Sequence, residues 1–370
     1  MRTIITADSS AELLALIPHL AGYVPRESVV AIPFRAGRSL AMLRVDRVAH
    51  DVDAFAATTI GTVCRVPDVD AVVLAVYADG ELEQSGAREV LDALRIRADA
   101  CGLFVIDALA IAENGWASYR DERTPSPRSL EEISRLAPAG LVTPAGDQAG
   151  GSTLVRAPKE RRRRVSEALA ETERAADVLR SQTCPGADRA GDLNAQGARI
   201  LMELTDVATA WETALEFESL DDDILTDERA ALLLWCLARP SVRDVALAHW
   251  CHGAGAAHQV LEAQLEWEES GDYPAGPLFL AGEGPRPDQA RLHQALHLLR
   301  GLAALASGRF RGAALASAAW TAWALGWGTH AGVYARAALS VDPGQRLAEI
   351  IDELSSRGHL PGWAFTPVEP

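Results

Sequence analysis

The sequence contains no Cys-x-x-Cys pair, no long apolar stretch at its start, no nucleophile elbow and no dinucleotide-type glycine fingerprint, and each absence removes a class of protein. Its five cysteines, Cys64, Cys101, Cys184, Cys236 and Cys251, are odd in number and widely scattered. That pattern suits neither a disulfide framework nor a zinc ribbon, and fits reduced thiols in cytosol. Met1 to Asp8 lacks the apolar core of a signal peptide, so a cytoplasmic location is expected. Positive charge is also short: 35 Lys and Arg stand against 51 Asp and Glu, a net charge of −16. Such a surface repels polyanions, which argues against non-specific binding to nucleic acid or to an anionic membrane face and favours cationic partners.

At 370 residues, 48% apolar and 23% charged, the chain has the composition of a globular protein long enough for two domains. The first third mixes periods. Ser9 or Ser10 caps an expected helix with Leu13, Leu14, Ile17 and Leu20 on one face and Gly22 at its end. Ser28–Pro33 and Leu40–Val45 read as a strand pair around Arg35-Ala-Gly-Arg38. Asp51–Val63 and Glu81–Ala100 read as helices, Asp70–Tyr77 as a buried strand, and Leu103–Ala112 with Trp116–Arg120 as a second strand pair.

Between residues 121 and 158 the composition turns to Pro, Gly, Ser and Thr, the mark of a linker, with one short helix near Leu130–Leu136. Beyond it strands stop, and helical spacing runs from Glu160 to Arg357 with short Gly, Pro and Asp breaks. The uncharged run Gly312–Ala335 is long enough to cross a bilayer, but Gly326-Trp-Gly328 breaks it and no close basic residues bracket it at both ends. Two packed helices are expected instead. Ala331, Ala335, Ala338 and Pro343 have the spacing of the second helix of a tetratricopeptide-type repeat. The expected fold is therefore an N-terminal mixed α/β sheet domain (1–120), a linker (121–158), and an all-α helical-hairpin, tetratricopeptide-like domain (159–370).

Eight of the nine tryptophans lie in the helical part, and large rings against many alanines point to core packing, with Trp323 and Trp327 as candidates for a partner surface. Arg161, Arg162, Arg163 and Arg164 form the one basic concentration; it is either a salt-bridged helix start, with Glu160, Glu167, Glu171 and Glu173 at pairing distance in sequence, or a docking patch for an acidic partner. Asp221-Asp222-Asp223 is a candidate acidic segment. Gly146-Asp-Gln-Ala-Gly-Gly151-Ser-Thr153 resembles a phosphate loop but lacks the lysine that neutralises the outer phosphates, so a flexible linker is expected. His249 and His252, with His293 and His297 one helical turn apart, could supply metal ligands from adjacent helices; Gln294 replaces the glutamate a zinc-protease helix needs, and no cofactor or metal is expected. In the sheet domain Ser28 opens a strand while Arg44 and Asp46, of equal parity, close one. They are candidates to grip a polar ligand, the competing reading being a structural ion pair.

The stretch Ala11-Glu-Leu-Leu-Ala-Leu-Ile-Pro18-His-Leu-Ala-Gly22-Tyr-Val-Pro25-Arg-Glu-Ser28-Val-Val30, with Arg44-Val-Asp46, resembles the opening of an actinobacterial family catalogued as domain of unknown function 4192. Trp320-Thr-Ala-Trp-Ala-Leu-Gly326, Ala335-Arg-Ala-Ala-Leu339, Asp342-Pro343 and Leu347-Ala348 resemble its closing helices. Tyr23-Val24 and Arg47-Val48 depart from the family's pattern, where Phe-His and Leu-Pro stand. The resemblance implies an architecture and no activity. The expected function is a non-enzymatic binding or scaffold protein engaging a protein partner or itself through the helical domain. The alternative is a small-molecule-binding or hydrolytic protein with a cleft in or beside the α/β domain.

Overall fold

A computed structural model describes residues 7–48, 50–120, 126–136, 144, 146–183, 206–220, 223–271 and 279–366. The chain divides into two compact units, Met1–Gly150 with Phe365–Pro370, and Gly151–Ala364.

The first unit is a mixed sheet between helices. Helix α1 (Ser10–Ala21) starts where the Ser9 hydroxyl accepts from the Glu12 amide. Strand β1 (Ser28–Arg35) turns through Ala36 and Gly37, both at positive φ as a two-residue hairpin requires, into β2 (Arg38–Ser39) and then β3 (Leu43–Asp46). Helix α2 (Val52–Cys64), β4 (Ala71–Tyr77), α3 (Ala87–Ala100), β5 (Phe104–Ala112) and β6 (Gly115–Ser118) follow. The sheet order is β2-β1-β4-β5-β6, with β3 beside β2 on the free edge of β1; only β4 and β5 run parallel. Strand β4 is buried along its whole length, as a central strand covered on both faces must be.

Period two sorts the core. Val29, Ala31, Val72, Leu74 and Val76 face Ile60, Val63, Leu91 and Leu94 of α2 and α3. Val30, Ile32, Val73, Ala75, Tyr77 and Trp116 face Leu14 and Ile17 of α1. The expected linker is partly built into this unit. Arg128 exchanges backbone hydrogen bonds with Trp116 (3.0 and 2.8 Å), extending the sheet edge, and α4 (Leu130–Arg135) packs on α1.

The second unit has no strand among its described residues and is built from α5 (Lys159–Thr183), α6 (Val207–Ala214), α7 (Asp227–Leu237), α8 (Pro240–His252), α9 (Ala254–Ser270), α10 (Gln289–Leu305), α11 (Gly308–Ala324), α12 (Gly328–Val341) and α13 (Arg346–Ser356). Of the expected helical run from Glu160 to Arg357, residues 184–205, 221–222 and 272–278 lie outside the described residues, Cys184, Asp221 and Asp222 among them. Helix α11 is buried at every position from Gly312 to Ala324 and touches α7, α8, α10, α12 and α13, so its lack of a polar face reflects a central place in the bundle. It ends at Gly326, which adopts φ +81°, and α12 turns away. Among the described residues no helix is long and apolar enough to cross a membrane. Buried hydroxyls in α11 are satisfied locally: Ser317 donates to the Ala313 carbonyl and Thr321 to that of Ser317, each at 2.9 Å.

Candidate functional site

The sheet-edge residues meet. Ser28 lies between Asp46 on β3 and Tyr77 on β4, and Arg44 stands one pleat further along the same face. Arg44 Nε donates to Ser28 Oγ at 2.9 Å, its Nη2 pairs with Asp46, and Ser28 Oγ donates to the Arg26 carbonyl. The Arg44 side chain is 7% exposed and that of Asp46 69%. Burial pushes the Tyr23 phenol above its usual value, opposed by the nearby Arg44 and reinforced by Asp46. Chemically this is a strand-end clamp. The Ser28 proton points at a carbonyl and its oxygen accepts from a guanidinium, so among the described residues its hydroxyl donates to no base that would make it a nucleophile.

A second ionic layer adjoins it at the carboxyl end of β4. Arg26 grips Asp79 through Nε (3.0 Å) and Nη2 (2.9 Å), holding that carboxyl below its ordinary value. Glu27 accepts from the Asp79 amide at 2.6 Å and pairs with Arg47 at 2.9 Å. The segment resembling a phosphate loop closes over this corner. Gln148 Oε1 accepts from the Arg26 amide (3.0 Å), Gln148 Nε2 donates to the Arg26 carbonyl (2.8 Å), and the Gly146 carbonyl accepts from the Val24 amide (3.0 Å). Gly146–Gly150 is thus a docked turn, contrary to the flexible linker expected, because one glutamine reads out a backbone amide and carbonyl together.

At the start of α5 the arginines divide. Arg161 Nε (3.3 Å) and Arg164 Nε both pair with Asp227, the first residue of α7, while Arg163 lies between Glu160 and Glu167. Among the described residues Arg162 and Lys159 form no ion pair and no side-chain hydrogen bond; with Arg163, Ser166 and Ser307 they line a cavity of ≈ 250 Å³. Two of the four guanidiniums therefore join α5 to α7, and a third braces α5 itself.

The four histidines go to four different neighbours. His249 Nε2 lies 2.8 Å from a Glu212 oxygen, and Arg291 donates to both Glu212 oxygens at 2.7 Å. The Arg291 hydrogen bonds, with His249 assisting, hold the Glu212 carboxyl down to about 2 against its partial burial. His252 packs on Phe279, and burial lowers its pKa. His293 packs on Trp327; His297 packs on Phe217 and donates to the Glu218 carbonyl at 2.7 Å. Among the described residues no group of three or more His, Cys, Asp or Glu is placed to hold a metal ion.

Of the tryptophans, Trp211, Trp250, Trp320, Trp323 and Trp363 are buried. Trp323 donates to the His359 carbonyl at 2.7 Å, which removes it from any partner surface, whereas Trp327 is 41% exposed between His293 and His330. Trp267 departs from the core-packing expectation. On α9, Ala256, Val260, Ala263 and Trp267 form one stripe at i, i+4, i+7 and i+11, and α8 is the principal neighbour beneath it. The two helices are joined by Gly253 alone and have 13 and 17 residues. Trp267, in the last turn of α9, is 52% exposed; Leu261 and Leu265, on the other side of the helix from that stripe, are 43% and 51% exposed. The stripe is visible in the sequence, but the exposure of its last member is not.

No curated protein and no solved structure matches the chain. The model of one family, described as Domain of unknown function (DUF4192), matches residues 11–283 and 287–361. With nearly its whole length covered, from α1 through the sheet and the helical unit to the segment after α13, the chain belongs to that DUF4192 family.

Proposed function

We propose that the protein is a non-enzymatic binding or scaffold protein whose helical unit engages a protein partner or a second copy. The observation that carries this reading is α9, a 17-residue helix supported chiefly by one neighbour, with Leu261, Leu265 and Trp267 in water. Exposed apolar side chains gathered on one element mark an interaction surface, where scattered single ones do not. The sheet-edge cluster supports it from the other side, since Ser28 and Asp46 both engage the Arg44 guanidinium and the Ser28 hydroxyl donates to the Arg26 carbonyl and not to a carboxylate. A cytoplasmic setting belongs to the same proposal, supported by the free thiols of Cys64, Cys101, Cys236 and Cys251. The test is light scattering after size exclusion at micromolar concentration, with affinity capture from the native host, for the natural chain and an L261S/L265S/W267S variant. A complex formed by the natural chain and lost in the variant is the expected result; a strict monomer with no captured partner refutes the proposal.

A further inference from the structure

The charge on α9 narrows the occupant. The helix contains no Lys or Arg, and Glu262, Glu266 and Glu269 follow at i, i+4 and i+7, forming a carboxylate row beside Leu261 and Leu265. Only Glu262 has an ion-pair partner among the described residues, the exposed His258 at 3.1 Å. A twofold contact between copies through this face would bring both rows of carboxylates to one interface with no Lys or Arg from either α9 to neutralise them, and like charges brought together at an interface oppose binding. An anionic lipid surface would be repelled in the same way. Apolar side chains flanked by unneutralised carboxylates are complementary to the opposite pattern, a helix with one apolar and one cationic side.

Resting on the proposal that α9 is an interface, we infer that its outer face docks a basic, amphipathic helical segment of a partner protein. Leu261 and Leu265 receive the apolar side, and Glu262, Glu266 and Glu269 receive the cations.

The experiment titrates the full chain against two labelled helical peptides, one of Leu and Lys with a 3.6-residue period and one with every Lys replaced by Glu, read by fluorescence anisotropy. The Lys peptide binds, and the Glu peptide binds more weakly by about tenfold or more. An E262K/E266K/E269K variant weakens the Lys peptide by about tenfold, as does L261S/L265S/W267S, because central apolar anchors and flanking charges act together. An E131K/E132K variant, which reverses two charges at exposed positions of α4, outside the α9 face, leaves binding within about twofold, because the cations are received by the α9 carboxylates and not by the overall charge. All these positions are exposed, so circular dichroism stays unchanged. Equal weakening by the α4 and α9 reversals shows attraction to the overall −16 charge alone and overturns the inference, leaving the proposed function standing. Equal binding of both peptides, lost in the L261S/L265S/W267S variant, also overturns the cationic partner while keeping the interface. Binding insensitive to the apolar variant, or no binding of the Lys peptide, removes α9 as its docking face.

Discussion

Substituting Gly301 by Ala sets two effects of known sign against each other. Gly301 lies inside α10, where Ala is the better helix former by about 1 kcal/mol. A Cβ there would stand 2.7 Å from both Cε1 and Cζ of Phe217, far inside contact distance. The ring is buried and cannot retreat freely, because His297 packs on it at 5.2 Å and is itself held by the Glu218 carbonyl. Overpacking of this kind costs about 1–3 kcal/mol. Taking about 2.5 for a confined ring and subtracting the propensity gain leaves a net loss of about 1.5 kcal/mol. With a urea m-value of about 2 kcal/mol/M, the unfolding midpoint of the helical unit falls by about 0.7 M. Tryptophan fluorescence reports it, since Trp116 is the only tryptophan before residue 211. Gly61, inside α2, is the internal control: it is exposed, an added methyl would meet nothing within 4 Å, and Gly61→Ala stabilises by about 0.4–1 kcal/mol. Phe217→Leu in the Gly301→Ala background relieves the clash, and the double-mutant cycle shows a coupling of about 1 kcal/mol. A midpoint for Gly301→Ala that equals or exceeds the parent's refutes the packing described around Phe217.

Other outcomes follow from the sites described. Glu212→Gln lowers stability at pH 7 by about 1 kcal/mol, the shift from 4.5 to about 2 being discounted because the side chain is half exposed. A depressed carboxyl stabilises above its ordinary value and loses that contribution as pH falls, so melting temperatures of parent and variant converge between pH 4.5 and about 2. Thiol reagents at pH 8 modify Cys64 and Cys101 before Cys236 and Cys251 because the first two are exposed and the others buried, although partial burial raises the Cys64 thiol as well, to about 11, against about 12 for Cys236; mass mapping that finds the buried pair labelled first contradicts the helical packing. Gln148→Ala removes the acceptor of the Arg26 amide, which then exchanges its hydrogen about tenfold faster or more; an unchanged rate means the turn is not held by that side chain.

Much of the architecture was legible because period and punctuation agree with burial. The unbroken apolar runs within Ser28–Pro33 and Asp70–Tyr77 match strands buried on both faces, and the break at Gly326 separates α11 from α12. The equal parity of Arg44 and Asp46 placed them together, and they form the ion pair that competes with a ligand-gripping role. Long-range partners were not legible. Nothing local marks Gln148 as the residue that pins the corner before β1, or Asp227 as the shared acceptor of Arg161 and Arg164. Composition likewise could not separate Trp323 from Trp267, since one indole finds a carbonyl and a full shell of neighbours while the other stays half exposed in the last turn of its helix.

The helix enclosed on all sides also fixes an order of assembly. Gly312–Ala324 carries no face that water would tolerate, and two of the elements enclosing it, Gly328–Val341 and Arg346–Ser356, come later in the chain. During synthesis those apolar residues emerge before their cover, so a nascent chain stopped near residue 325 is a substrate for chaperones and a seed for precipitation, and the unit closes only when the last helix arrives.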